Sequence, residues 1–395
     1  MVYLKYQPDY LFTGKEILFN QSVLITDEKS VIQTIINKED AGEDIQLLKG
    51  LLSPGFINCH CHLELSHMKG MIPEHTGLVD FILNILQYRN SSEVDILQAI
   101  KEGEAELKNN GIVAVGDISN NALTLPQKLK GNLRYHNFIE VSGFSPAIAQ
   151  MRFDNGLTVY EAFKKHFANT TSIVPHAPYS VSRKLFNLIN SVEDNYLSSI
   201  HNQETVDENA FFISGKGGFN KLYNTIGIDI SSFHQPTSKS SLQSILPFLN
   251  QPKKLLLVHD TFTSQNDLDF LFQNKPIQQY FFCLCVNTNS YIENQLPPIN
   301  LLRNNHCNIV IGTDSLASNH QLCVLSEIKT IIQNFPEMPL QEMLTWATIN
   351  GAVALQMDDT LGSFEPGKQP GLVLITDLMD DGSIIINSKA KVISP

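Results

Sequence analysis

In the stretch Pro54 to Gly70, PGFINCHCHLELSHMKG, a short apolar run of Gly55, Phe56 and Ile57 leads into His60-Cys61-His62. If that run is a strand, its side chains alternate between two faces, and both histidines point the same way. Two imidazoles on one face at the carboxyl end of a strand can serve as adjacent corners of a tetrahedral metal site, because neutral ring nitrogens are borderline ligands suited to zinc or iron. They can equally be ordinary polar residues at a strand end, so the pair needs further ligands from elsewhere in the chain. Cys59 and Cys61 fall on the opposite face and read as small hydrophobes rather than thiolate ligands.

Chemically capable residues recur at the ends of later apolar runs. His176 follows SIVP, His201 follows LSSI, His259-Asp260 follows LLLV, and Asp314 follows IVIGT. A lone histidine at a strand end is usually structural. Five of them at one rim, with an aspartate after the last run, are hard to explain that way.

These residues need a scaffold that brings distant strand ends together. From residue 53 onward, apolar runs of four to six residues alternate with longer segments of helical spacing, the pattern of repeated βα units. The candidate strands are Gly55–His60, Ile112–Asp117, Leu133–Glu140, Ser172–Pro175, Leu197–His201, Leu255–His259, Tyr280–Cys285 and Ile309–Gly312. Eight parallel strands with intervening helices read as an α/β protein of the (β/α)8 TIM-type barrel class, whose catalytic groups sit at the carboxyl ends of the strands. Ser91-Ser92-Glu93 caps a helix that runs to Leu107 and stops at Asn109-Asn110-Gly111. Residues 2 to about 50 and the final segment instead alternate apolar and polar residues in short runs. Neither segment can close a β core alone. The expected organisation is therefore a small composite β-sandwich from residues 1–52 and 362–395, flanking a barrel over 53–361.

With 395 residues and 43% hydrophobic content, the chain can bury a full core. Its net charge of -12, without a Lys/Arg-rich run, disfavours a nucleic-acid partner and leaves a small molecule as the expected one. No apolar run approaches the roughly 18 residues needed to span a bilayer, and the first residues lack the order of a signal peptide. Six cysteines without paired CxxC spacing fit a reducing compartment, so the expected location is the cytoplasm. Cys283 and Cys285 read as packing residues on one face.

Taken together and in order, PGFINCHCHLE, VPHAPYSVS, HNQE, VHD and GTDSLASN resemble the amidohydrolase superfamily. Within it they resemble the branch of nucleobase, nucleoside and triazine deaminases and chlorohydrolases. The resemblance extends to the tail LGSFEPGKQPGLVLI and so covers nearly the whole chain. It implies one divalent metal ion, zinc with iron as the alternative, held by His60, His62, His201 and Asp314. Such an ion lowers the pKa of a bound water from about 15.7 to roughly 7. The resemblance further implies that Glu204, in the His-x-x-Glu motif, moves the proton between water and a ring nitrogen, although a glutamate there could also be a helix N-terminal acid favoured by the dipole. His259 would orient the attacking water, while Glu64 and His176 would face the substrate. The loop carrying Glu64 and His67 should lie over the barrel mouth, where these two residues could instead only brace it. Many binuclear relatives carry a lysine at the end of strand four. Val174-Pro175-His176 stands there, which favours a mononuclear site. The implied activity is hydrolytic deamination of an amino-substituted heterocycle or adenine-type nucleoside, with aminodeoxyfutalosine a candidate substrate. Chloride or cyclic-amide hydrolysis on the same scaffold is the alternative, a non-catalytic scaffold protein is the remote one, and a homodimer is a further implication.

Overall fold

Strands with one apolar and one polar face are not stable singly and must pair until the apolar face is covered. In the computed structural model, which describes residues 2–193, 195–249, 253–274, 276–379 and 382–394, the first such strands are β1 (Tyr3–Phe12), β2 (Ile17–Phe19), β3 (Ser22–Asp27), β4 (Ile32–Asn37) and β5 (Ile45–Pro54). The chain then alternates strands with helices through β6 (Phe56–Cys61), β7 (Ile112–Ser119), β8 (Arg134–Val141), β9 (Thr171–Pro175), β10 (Leu197–Asn202), β11 (Lys254–His259), β12 (Tyr280–Leu284) and β13 (Asn308–Ile311). It closes with β14 (Leu372–Thr376) and β15 (Lys389–Ser394).

β14 pairs antiparallel with β5, giving one seven-stranded sheet in the order β15-β14-β5-β1-β3-β4 with β2 on β1. The sandwich expected from the termini takes the form of this single sheet rolled on itself. The Ser30 hydroxyl in the β3–β4 turn bonds the Ser394 hydroxyl of β15 at the far edge. Tyr6, Leu11, Leu24, Leu52, Phe364 and Leu372 fill the space between as a separate core. We propose that residues 1–52 and 362–395 form this unit and 53–361 the barrel. Within the proposed unit, Met1, Asp380, Asp381 and Pro395 lie outside the described residues.

The eight barrel strands lie within two residues of the ends read from the sequence. They pair in parallel as two sheets of four, β6 to β9 and β10 to β13. Backbone bonds join the two sheets at both seams. Between β9 and β10, the His201 N–H donates to the His176 carbonyl (3.0 Å); beyond β13, the Thr313 and Asp314 N–H groups both donate to the His60 carbonyl on β6 (3.0 Å each). Ile57, Cys59, Phe138, Val174, Val258 and Val310 are among the residues packed inside the barrel. The helix Glu93–Asn109 starts where its cap was read, with the Ser92 hydroxyl accepting the Asp95 N–H. Among the described residues, no helix is long and apolar enough to cross a membrane.

One expectation fails locally. Cys59 and Cys61 do not share a face, because β6 shifts register against β7 between Asn58 and Cys61. The bulge inserts one residue and reverses the alternation. Cys59 stays with Ile57 inside the barrel, whereas Cys61 packs outward among residues of the helical layer.

A buried ion pair supports the same strand from outside. Lys128 is buried on the outside of β7, with its ammonium 2.6 Å from Asp117 Oδ2 and 5.0 Å from the ring centres of Tyr135 and Phe163. The other Asp117 oxygen accepts the N–H of Leu63, the residue after His62 (2.9 Å). Replacing Lys128 with methionine leaves that carboxylate buried and unpaired, and should cost about 3–5 kcal/mol of stability. Urea unfolding would measure the loss; an unchanged midpoint would contradict it.

Candidate active site

The bulge in β6 turns His60 and His62 toward the barrel mouth, where they meet His201 from the end of β10 and Asp314 from the loop after β13. The Nε2 atom of His62 lies 3.2 Å from Nε2 of both His60 and His201. Asp314 Oδ1 lies 3.5 Å from His60 Nε2 and 3.4 Å from His62 Nε2. In a tetrahedral site with metal–nitrogen bonds of about 2.0–2.1 Å, neighbouring ligand atoms are about 3.3 Å apart. The observed spacing therefore fits one small divalent cation. Only a glycine at 312 permits this approach, since a Cβ there would meet the His60 Cβ at 2.8 Å.

Surrounding groups set the protonation state such a cation needs. The Nδ1–H of His201 donates to the His176 carbonyl (2.8 Å), which leaves the Nε2 lone pair facing the cluster. The second oxygen of Asp314 accepts the Ser318 hydroxyl (2.7 Å). Burial pushes His201 down to about 4 and His62 well below the usual histidine range, so both rings are neutral at pH 7. Burial alone would raise the Asp314 carboxyl, but its hydrogen bond with His60 and the nearby His62 ring hold it well below the usual range. Neutral imidazoles beside a carboxylate are the ligating forms. The backbone at Gln203, His259, Asp260 and Asp314 is left-handed (φ 47°, 80°, 53° and 55°), a concentration of strain at one rim.

Glu204 and His259 stand together beside the cluster, with 3.6 Å between Oε2 and Nε2. Burial, reinforced by the charge of Asp314, pushes Glu204 well above the usual carboxyl range, and burial pushes His259 well below its own. A cavity of about 300 Å³ opens over them. His62, Glu64, His176, Glu204, His259 and Asp314 all line it, and His60 lies beneath its floor. With His201, which also lines the cavity, the eight candidate ligands, proton carriers and substrate contacts are thus brought to one place, whereas Asp260 turns away and accepts the Asn202 amide. His176 Nδ1 is 2.6 Å from the Ser180 hydroxyl, and burial pushes Glu64 up to about 8. The loop after β6 is a buried 3-10 turn, Leu63–Met68, which sets Glu64 on the cavity wall. His67 does brace it, with Nε2 donating to the Arg89 carbonyl (3.0 Å).

Sequence reading overlooked other wall residues. Glu140, the last residue but one of β8, has Oε2 3.5 Å from His201 Nδ1. Asn120 links the two glutamates, donating its backbone N–H to Glu64 (3.1 Å) and its side-chain amide to Glu140 (2.9 Å). The position of Glu140 as the last residue of the third candidate strand was the available signal. Away from the cluster the cavity is apolar, with Phe81, Ile85, Phe144 and Ile226 on its walls beside Arg89 and Arg152.

Comparison with known proteins identifies the fold and the family. A 5-methylthioadenosine/S-adenosylhomocysteine deaminase of Teredinibacter turnerae is 25% identical over 374 residues, covering 90% of this chain and 79% of the relative. A Helicobacter pylori aminofutalosine deaminase, solved with methylthio-coformycin, superposes with a TM-score of 0.77 at 21% identity over 94% of this chain and 92% of the other. An adenosine deaminase of Xanthomonas campestris, solved with bound zinc, gives a TM-score of 0.74 at 19% identity over 97% and 87%. The profile of the amidohydrolase family matches residues 51–392, and the chain belongs to that family.

Proposed function

We propose that this protein is a metal-dependent hydrolytic deaminase of adenine nucleosides that carry a substituent on the ribose, aminodeoxyfutalosine among them. The observation that carries this reading is the placement of a desolvated carboxyl group, Glu204, beside three imidazoles and a carboxylate at ligand spacing, on the floor of a cavity whose outer half is apolar. His60, His62, His201 and Asp314 would hold the ion. We infer zinc, as in the Xanthomonas relative, with iron as the alternative. When bound, the ion supplies a Lewis acid that lets water ionise near neutrality.

Glu204 takes a proton from the attacking water and passes it to the ring nitrogen beside the carbon under attack. His259 orients that water and faces the oxygen as its charge develops. A carbon–oxygen bond forms, Glu204 carries the remaining proton of the added hydroxyl to the amino group, the exocyclic carbon–nitrogen bond breaks, and ammonia leaves. Glu64 and His176 face the nucleoside, where they can bond its base edge or ribose hydroxyls. The apolar walls suit the substituent. Arg89 and Arg152 form no ion pair among the described residues and suit a carboxylate at its far end. The six free cysteines support a reducing compartment such as the cytoplasm, and a homodimer rests on the family resemblance.

The test is ammonia release from a panel of amines by the metal-loaded protein. Adenine nucleosides with a 5′ substituent should be turned over faster than free adenine or cytosine, and chloride release from a chlorotriazine should be slower still. A free base or chlorinated ring as the best substrate would overturn the reading. Within the panel, Arg89→Ala should lower kcat/KM for a carboxylate-bearing substituent roughly 10- to 150-fold, the worth of about 1.5–3 kcal/mol for a hydrogen bond to a charged group. It should spare the methylthio analogue. Equal losses on both would remove Arg89 from substrate recognition.

A further inference from the structure

We propose that Gln203 is a positioning residue, which holds Glu204 against His259 by clamping the corner after β10 to the corner after β11. The inference rests on Glu204 being the proton carrier. Gln203 lies between the ligand His201 and Glu204, and its backbone is left-handed (φ 47°), a conformation that a residue with a side chain keeps only when its surroundings enforce it.

Gln203 is wholly buried, and its polar groups find partners on several neighbouring segments. Its backbone N–H donates to Glu208 Oε1 (2.9 Å), and its carbonyl accepts the Phe262 N–H (3.0 Å). Its side-chain amide donates to Asp267 Oδ2 (3.1 Å) and Asn209 Oδ1 (3.2 Å), while its Oε1 accepts the Thr263 hydroxyl (2.7 Å). Phe262, Thr263 and Asp267 all belong to the β11 side. Asp267 is itself fixed, accepting the Ser264 hydroxyl (2.6 Å) and N–H (3.0 Å), an amide of Gln243 (3.1 Å) and the Ser240 hydroxyl.

The geometry that this clamp protects is specific. Glu204 and His259 sit on different corners, each turned through left-handed backbone, and face one another across 3.6 Å. A change at either corner would separate them. A small residue could make the same turn, but only a side chain as long as glutamine, with both a donor and an acceptor, reaches Asp267 and Thr263 together.

The experiment compares Gln203→Met, which keeps the length and removes every polar atom, with Thr263→Val, which removes only the hydroxyl bonded to Oε1. A displacement of about 1 Å at a reacting group can cost about 100-fold, so Gln203→Met should lower kcat roughly 10- to 100-fold, with KM within about threefold of wild type and a full equivalent of metal. Thr263→Val, which disturbs folding less, should move kcat in the same direction by roughly threefold or more. Because the effect passes through Glu204, Gln203→Met should add little further loss in a Glu204→Gln background. Wild-type kcat in both variants, a loss that multiplies fully with that of Glu204→Gln, or loss of metal from Gln203→Met would overturn the proposal. If Glu204→Gln alone keeps wild-type turnover, the proton-carrier reading fails and this inference fails with it. If Glu204→Gln is crippled while the Gln203 and Thr263 variants are not, only this inference fails.

Discussion

Replacing Glu204 with glutamine is expected to lower kcat about 100- to 10,000-fold, the usual worth of a general acid–base group, while leaving the metal content unchanged. Glutamine keeps the shape and hydrogen-bonding capacity of the side chain but cannot gain or lose a proton. The four proposed ligand atoms, with Nε2 of His62 3.2–3.4 Å from the other three, do not include one from Glu204, so the cation would have no reason to leave. Burial already pushes Glu204 well above the usual carboxyl range, the direction that a group alternating between base and acid requires. Steady-state kinetics with metal analysis of the same sample would decide the matter. Near-normal turnover would mean that another group carries the proton.

His62→Ala should act on the step before, by removing the cation itself. His62 Nε2 is the hub of the cluster, within 3.2 Å of two imidazole nitrogens and 3.4 Å of the carboxylate. Loss of an outer-sphere partner weakens metal binding about 10- to 100-fold, and loss of a direct ligand should exceed that range. The variant should therefore leave a chelator column without metal and without activity, while the wild-type protein regains activity when zinc is restored. A variant that kept a full equivalent of metal would remove His62 from the ligand set.

The barrel strands were legible because each is a short apolar run followed at once by a residue able to do chemistry, as in LLLV before His259. The convergence of His60, His62, His201 and Asp314 followed once eight such runs were placed around one barrel. The bulge in β6 was not legible, because it depends on the neighbouring strand. The Cys59 carbonyl lies where a Cβ on Gly116 would stand, 2.5 Å from that position, and nothing near Cys59 in the sequence signals the glycine. Nothing in the sequence around Lys128 marks it as buried, because its partners Asp117 and Asn137 come from two adjacent strands. Gln203 and Glu140 were hidden for the same reason. A polar residue at a strand end declares its type locally, but its task is set by residues 20 to 64 positions away.

The pairing of β14 with β5 has a consequence for biogenesis. As the protein emerges from the ribosome, β5 is made before any barrel strand, yet its partner, which sets Leu372 against Pro54, appears only after the entire barrel. Until then one edge of β5 exposes unpaired backbone groups, the kind of surface that recruits strands from other molecules. Closing so long a loop is also slow. The nascent chain is therefore vulnerable throughout synthesis of the barrel, and a protein terminated before Leu372 would keep that edge open permanently, with all the residues of its candidate active site already made.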